Sequence, residues 1–103
     1  MAEIVWTIPA LNDLEAILEY IALDKPEAAN ILARKIFERT EKLVNYPNSG
    51  GKPTELKGTP YRRLVVGPIV IYHRQEKNNV FIVHVSRAER EFDLGNILGS
   101  DMD

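Results

Sequence analysis

The spacing of apolar residues changes rhythm along the chain, and the changes mark its elements. Glu3-Ile4-Val5-Trp6-Thr7 is short, β-branched and aromatic, which predicts a first strand. From Thr7 or Ile8 the rhythm lengthens. Leu11, Leu14, Ile17, Leu18 and Ile21 recur at helical spacing, with Pro9 in the first turn, where a missing N–H costs little. Asp13 and Glu15 sit near the helix start, where the macrodipole favours acids. Pro26 constrains Lys25 and ends this helix near Leu23. A second helix starts at Pro26, with a buried stripe of Ala29, Leu32, Ala33, Ile36, Phe37, Thr40, Leu43 and Val44. Arg34, Lys35, Glu38, Arg39, Glu41 and Lys42 form its wet face, and Tyr46-Pro47 ends it. So short a connection predicts an antiparallel helical hairpin.

Residues 48–53 (Asn-Ser-Gly-Gly-Lys-Pro) form a loop by composition. Three strands follow: Tyr61 to Val66, Ile69 to Gln75 and Val80 to Ser86, joined by turns at Gly67-Pro68 and Glu76 to Asn79. If Gly67-Pro68 is a two-residue loop, Val66 pairs with Ile69 and Arg62 lies opposite His73. If Asn78-Asn79 is another, Lys77 pairs with Val80 and His73 lies opposite His84. Arg62, His73 and His84 then form a row on one face, shared with Leu64, Ile71, Gln75, Ile82 and Ser86. Val65, Val70, Tyr72, Phe81, Val83 and Val85 occupy the other face, the better one to pack on the helices. A one-residue slip in either loop breaks the row. Gly95, Gly99 and the acidic end suggest one domain over residues 1–98 and a disordered tail over 99–103.

Composition narrows the classes. The 103 residues suffice for one domain and a real core, with 45% hydrophobic and 27% charged residues. The absence of cysteine excludes disulfides and thiolate metal sites and fits a reducing cytoplasm. No basic segment precedes a long apolar run, so neither a signal peptide nor a membrane span is expected. The net charge of −2 hides an asymmetry: residues 52–90 carry eight basic and three acidic side chains, whereas residues 1–51 carry five and eight. This reads either as charge balance on a solvated surface or as a basic face for an acidic partner or RNA.

Arg62, His73 and His84 are the leading candidates for chemistry, because an arginine with two imidazoles can bind a phosphate and move a proton. The alternative is a solvated sheet face without a mechanism. Arg62, Arg63, Arg74, Arg87 and Arg90 suit phosphate or acidic protein surface, or else guard strand edges. Trp6, Tyr61 and Tyr72 read as packing residues rather than stacking platforms. Two histidines without a well-spaced carboxylate make no metal site, and no cofactor is implied.

The segments IVWTIPALNDLEAILEYIALDKPEAA, the YP-N-SG loop, ELKGTPYRRLVVGPIVIYHRQ and VFIVHVSRAER, in this order and spacing, resemble the RelE/ParE superfamily of type II toxins, often described as plasmid stabilization system proteins. The resemblance runs from about residue 3 to residue 92. It implies an α+β fold ordered β-α-α-β-β-β, with an N-terminal strand, a helical hairpin and a three-stranded antiparallel sheet. It also implies a cognate antitoxin that wraps the toxin, forming a hetero-oligomer in the cytoplasm away from any membrane.

RelE-like members cleave mRNA in the ribosomal A site, using basic residues and a C-terminal tyrosine; ParE-like members inhibit DNA gyrase. The RelE-type strand lysines fall on Arg62 and Leu64, the strand arginine on Ile69, the arginine after the last strand near Ala88, and the tail tyrosine near Leu94. Only Arg62 keeps that chemistry. The resemblance therefore implies a ParE-like toxin without a chemical step, binding gyrase through Arg62, Arg63, Arg74, Arg87 and Arg90, its antitoxin face unspecified. The alternatives are a ribosome-dependent mRNA endonuclease using Arg62, His73, His84, Arg87 and Arg90, or a degenerate toxin that only binds its antitoxin.

Overall fold

A computed structural model describes residues 3–90 and 92–102. The order is β1 (Ile4–Trp6), α1 (Ile8–Asp24), α2 (Pro26–Glu41), β2 (Tyr61–Val66), β3 (Ile69–Glu76), β4 (Asn79–Arg87) and α3 (Leu94–Met102), with single 3-10 turns at Lys42–Val44 and Thr54–Leu56. Thr7 joins strand to helix: its Oγ1 accepts from Ala10 N at 3.3 Å and donates to Ile82 O at 2.9 Å. That satisfies one of the free amides of the α1 N-terminus and ties it to the sheet. Lys25 alone separates α1 from α2, and its N–H closes on Ile21 O at 2.8 Å. Among the described residues, no helix is long and apolar enough to cross a membrane.

The sheet has four strands in the order β1-β4-β3-β2, with β1 parallel to β4 and the other pairs antiparallel. The β2–β3 hairpin has the expected register: Val66 faces Ile69 and Arg62 faces His73. The β3–β4 hairpin departs from expectation. Glu76 pairs with Asn79, so the loop is Lys77-Asn78, and Lys77 takes a left-handed φ of 55°. A bulge then intervenes. His73 faces Ile82 and Tyr72 faces His84, leaving Val83 between two paired residues of its strand. The expected pairing of His73 with His84 does not form.

The bulge also redistributes the faces. Leu64, Val66, Ile69, Ile71, Val80, Ile82 and Val85 pack with Ala10, Leu14, Leu32 and Ile36 of the helical hairpin. Tyr61, Val70, Tyr72 and Val83 pack with Leu56 and with Ile97 of α3. The helical hairpin thus covers the face expected to be open, and Val85 changes sides because the bulge advances β4 by one residue. Both faces are apolar enough to be covered, and α3 covers the second. The tail expected to be disordered from residue 99 is helical through Met102, because Ile97 is fully buried and Asp101 is bound to the sheet. Asp103 lies outside the described residues. Phe37, expected in the buried stripe, is half-exposed, although it packs on Trp6 with ring centroids 5.5 Å apart.

Candidate functional site

The predicted Arg62–His73–His84 row divides between the two faces of the sheet. Arg62 and His73 are cross-strand neighbours on the hairpin side, and the 48–51 loop covers them. Arg62 Nη1 donates to Gly50 O at 3.2 Å and to Asn48 O at 3.5 Å, so its guanidinium pins that loop. His73 is only 1% exposed and sits beneath Gly50, where a Cβ would collide with its Nε2. That nitrogen has no hydrogen-bond partner among the described residues. Burial, and secondarily the charge of Arg62, lowers its pKa to about 4. A neutral, covered imidazole is a packing residue, not a base.

His84 lies on the other face. Its Nδ1 is 3.1 Å from Asp13 Oδ2 and 3.2 Å from Ser100 Oγ. Asp13 reaches it from α1, where the same oxygen also accepts from Val85 N at 3.2 Å. Serine, histidine and aspartate together invite comparison with a nucleophilic triad, but a triad needs the serine and the acid on opposite ring nitrogens. Here both meet Nδ1, so Ser100 is not activated. The pairing instead has Nδ1 donate to Asp13 and leaves Nε2 outside both contacts.

The remaining arginines divide similarly. Arg74 is committed: its Nε donates to Asp101 Oδ2 at 2.8 Å, its Nη1 to Glu76 Oε2 at 3.0 Å, and its guanidinium lies over Phe81. Hydrogen bonding to Asp101 raises its pKa further. Arg63 is half-buried, its backbone bridging Gly51 in both directions at 2.7 Å. Arg87 rests 5.0 Å over the Tyr20 ring and is 3.3 Å from Glu89. Arg90 is exposed, without an acidic partner among the described residues.

His84, Arg87 and Arg90 therefore come together, whereas Arg62, His73 and Arg74 do not join them. These three line a cleft of about 360 Å³ between α1, the end of β4 and α3, with Asp13, Tyr20 and Phe92. The sequence reading missed Asp13, Tyr20 and Asp101. No local pattern marks them, since each meets its partner across the fold; Asp13 and Val85 are 72 residues apart. A second, apolar groove of about 610 Å³ runs between α2 and the β2–β3 turn, lined by Ile21, Ile31, Leu32, Lys35, Val66 and Pro68.

Comparison with known proteins fits this architecture. Toxin RelE2 of Caulobacter vibrioides is 37% identical over 90 residues, covering 87% of this chain and 99% of the relative. Putative toxin Y4kP of Sinorhizobium fredii is 35% identical over 89 residues, covering 84% of this chain and 88% of the relative. A solved chromosomal ParDE TA system from P. aeruginosa contains a chain that superposes with a TM-score of 0.74 at 27% identity, covering 86% of this chain and 98% of its own length. The family model of the ParE toxin of the type II toxin-antitoxin system, parDE, matches residues 4–92. The chain belongs to the ParE toxin family, within the RelE/ParE superfamily of type II toxins.

Proposed function

We propose that this toxin acts by binding DNA gyrase, without a chemical step, and that a cognate antitoxin neutralises it in the cytoplasm. The observation that supports this reading is the separation of the candidate catalytic groups. His73 is buried, Arg62 holds a loop and Arg74 is bound to Asp101 and Glu76. A nuclease needs a base, a phosphate clamp and an acid converging on one substrate, and these residues do not converge. Arg63, Arg87 and Arg90 remain as the target-facing cations. The apolar groove beside α2, with half-exposed Ile31 and with Lys35 and Arg39 in its lining, suits the apolar side of an antitoxin segment.

One observation favours the second reading, a ribosome-dependent mRNA endonuclease: Asp13 orients His84 beside Arg87 and Arg90. Two assays on the purified toxin separate the readings. Under the gyrase reading, micromolar toxin inhibits DNA supercoiling and leaves mRNA on programmed ribosomes intact. Unaffected supercoiling together with mRNA cleavage that His84→Ala abolishes would overturn it. Ile31→Glu is expected to weaken antitoxin binding without changing supercoiling inhibition.

A further inference from the structure

The cleft between α1, β4 and α3 holds two of the cations assigned above to the target, Arg87 and Arg90, in a concave, aromatic setting that contact with a protein surface does not use. It is small and walled on three sides, within the range of about 300–1,000 Å³ common for small-molecule sites. Its wall combines aromatic rings (Tyr20, Tyr72, Phe92) with two arginines and a histidine held by Asp13. The acids along it are already engaged. Asp13 accepts from His84 and from Val85 N, and Asp93 Oδ1 accepts from Gly95 N at 2.9 Å at the start of α3. Arg87 has a weak, exposed contact with Glu89, and Arg90 has no acidic partner among the described residues. The cleft therefore sets two arginines beside aromatic surface, with both lining carboxylates held by hydrogen bonds from within the chain.

We propose that this cleft binds a free mononucleotide. Arg87 and Arg90 hold the phosphate, because guanidinium groups match its oxygens in a bidentate fork. Tyr20, 63% exposed and already carrying Arg87 on its face, together with Phe92, offers the base a stacking surface. The His84 nitrogen not held by Asp13 can hydrogen-bond to the ligand. A discrete nucleotide suits the cleft better than a strand, because α3 closes one side with Asn96 and Ile97. A ligand lodged between α1 and α3 also stabilises the fold by mass action.

The test is thermal unfolding and isothermal titration of the full chain with each of the four ribonucleoside 5′-monophosphates, with inorganic phosphate, and with a short single-stranded oligonucleotide. At least one monophosphate is expected to raise the melting temperature and to bind more tightly than phosphate alone. Arg90→Ala and Tyr20→Ala, both at exposed positions, are each expected to weaken that binding about tenfold, while Arg34→Ala on the far face of α2 changes nothing. Absence of binding at millimolar nucleotide would overturn the proposal. Binding that Arg90→Ala and Tyr20→Ala leave unchanged, or an oligonucleotide that binds far more tightly than any mononucleotide, would overturn it too.

Discussion

Asp101 Oδ2 accepts the Arg74 Nε proton at 2.8 Å and, at 2.7 Å, the hydroxyl proton of Tyr61. One carboxylate oxygen thus ties α3 to two neighbouring strands, and burial with this bond pushes the Tyr61 pKa up to about 12. Asp101→Ala removes the acceptor that both groups share and leaves a mostly buried guanidinium to Glu76 and the Phe81 ring. The expected loss is about 1–3 kcal/mol in urea unfolding. Glu89→Ala, which removes only the exposed partner of Arg87, is expected to change stability by less than about 0.5 kcal/mol.

His73 makes stability fall in acid. The folded chain keeps its imidazole neutral down to about pH 4, whereas the unfolded chain takes up a proton below its ordinary value of 6.5. Between those values the unfolded state binds more protons, so stability falls as pH drops from 6.5 to 4, by about 3 kcal/mol in total. Urea titrations at pH 7, 5.5 and 4.5 measure this slope. His73→Leu is expected to flatten it and to leave toxicity intact.

Gly50 is required because His73 lies against it. A Cβ there would collide with the imidazole and lie 3.1 Å from Arg63 O. Gly50→Ala is expected to cost about 1–3 kcal/mol through overpacking. Because the collision is with one side chain, His73→Ala opens space for the new methyl. The double variant is therefore expected to be more stable than the summed single effects predict, and a double-mutant cycle by urea unfolding measures the difference.

The elements legible in the sequence were those set by local chemistry. Pro9, Pro26 and helical spacing placed α1 and α2, and Gly67-Pro68 placed the β2–β3 register residue for residue. What stayed hidden depends on tertiary packing. The glycines near residues 95 and 99 read as disorder, yet Asp93 receives the Gly95 N–H, Ile97 fills the space under α3 and Asp101 reaches Arg74. Packing outweighed the low helix propensity of two glycines. The site was half legible for the same reason. The sequence singled out His84, Arg87 and Arg90, but the bulge that turns His84 away from His73 has no signature of its own.

The β3–β4 turn carries a strain that its counterpart avoids. Lys77 and Gly67 open their two-residue loops with nearly the same φ, 55° and 57°. Glycine adopts that conformation freely, whereas a side chain there meets the backbone at a cost of about 1–2 kcal/mol. Lys77→Gly is expected to raise stability by about 0.5–1 kcal/mol, the gain being reduced by glycine's greater freedom in the unfolded chain. A higher urea midpoint with unchanged slope would bear this out.

Asp13 guards the open part of a strand edge. β1 pairs only with Val80, Phe81 and Ile82, so the remainder of β4 has no strand beside it there. Unpaired strand edges invite other chains, and a charged side chain is a common guard. The Asp13 carboxylate occupies the Val85 N–H and holds His84 with the same oxygen. Asp13→Ala leaves that amide without its partner and is expected to cost about 1–3 kcal/mol in urea unfolding. It also leaves the edge without its carboxylate at Val85, so sedimentation at rising concentration should show self-association that the parent chain lacks. Asp13→Asn keeps an oxygen for Val85 and is expected to recover most of the stability.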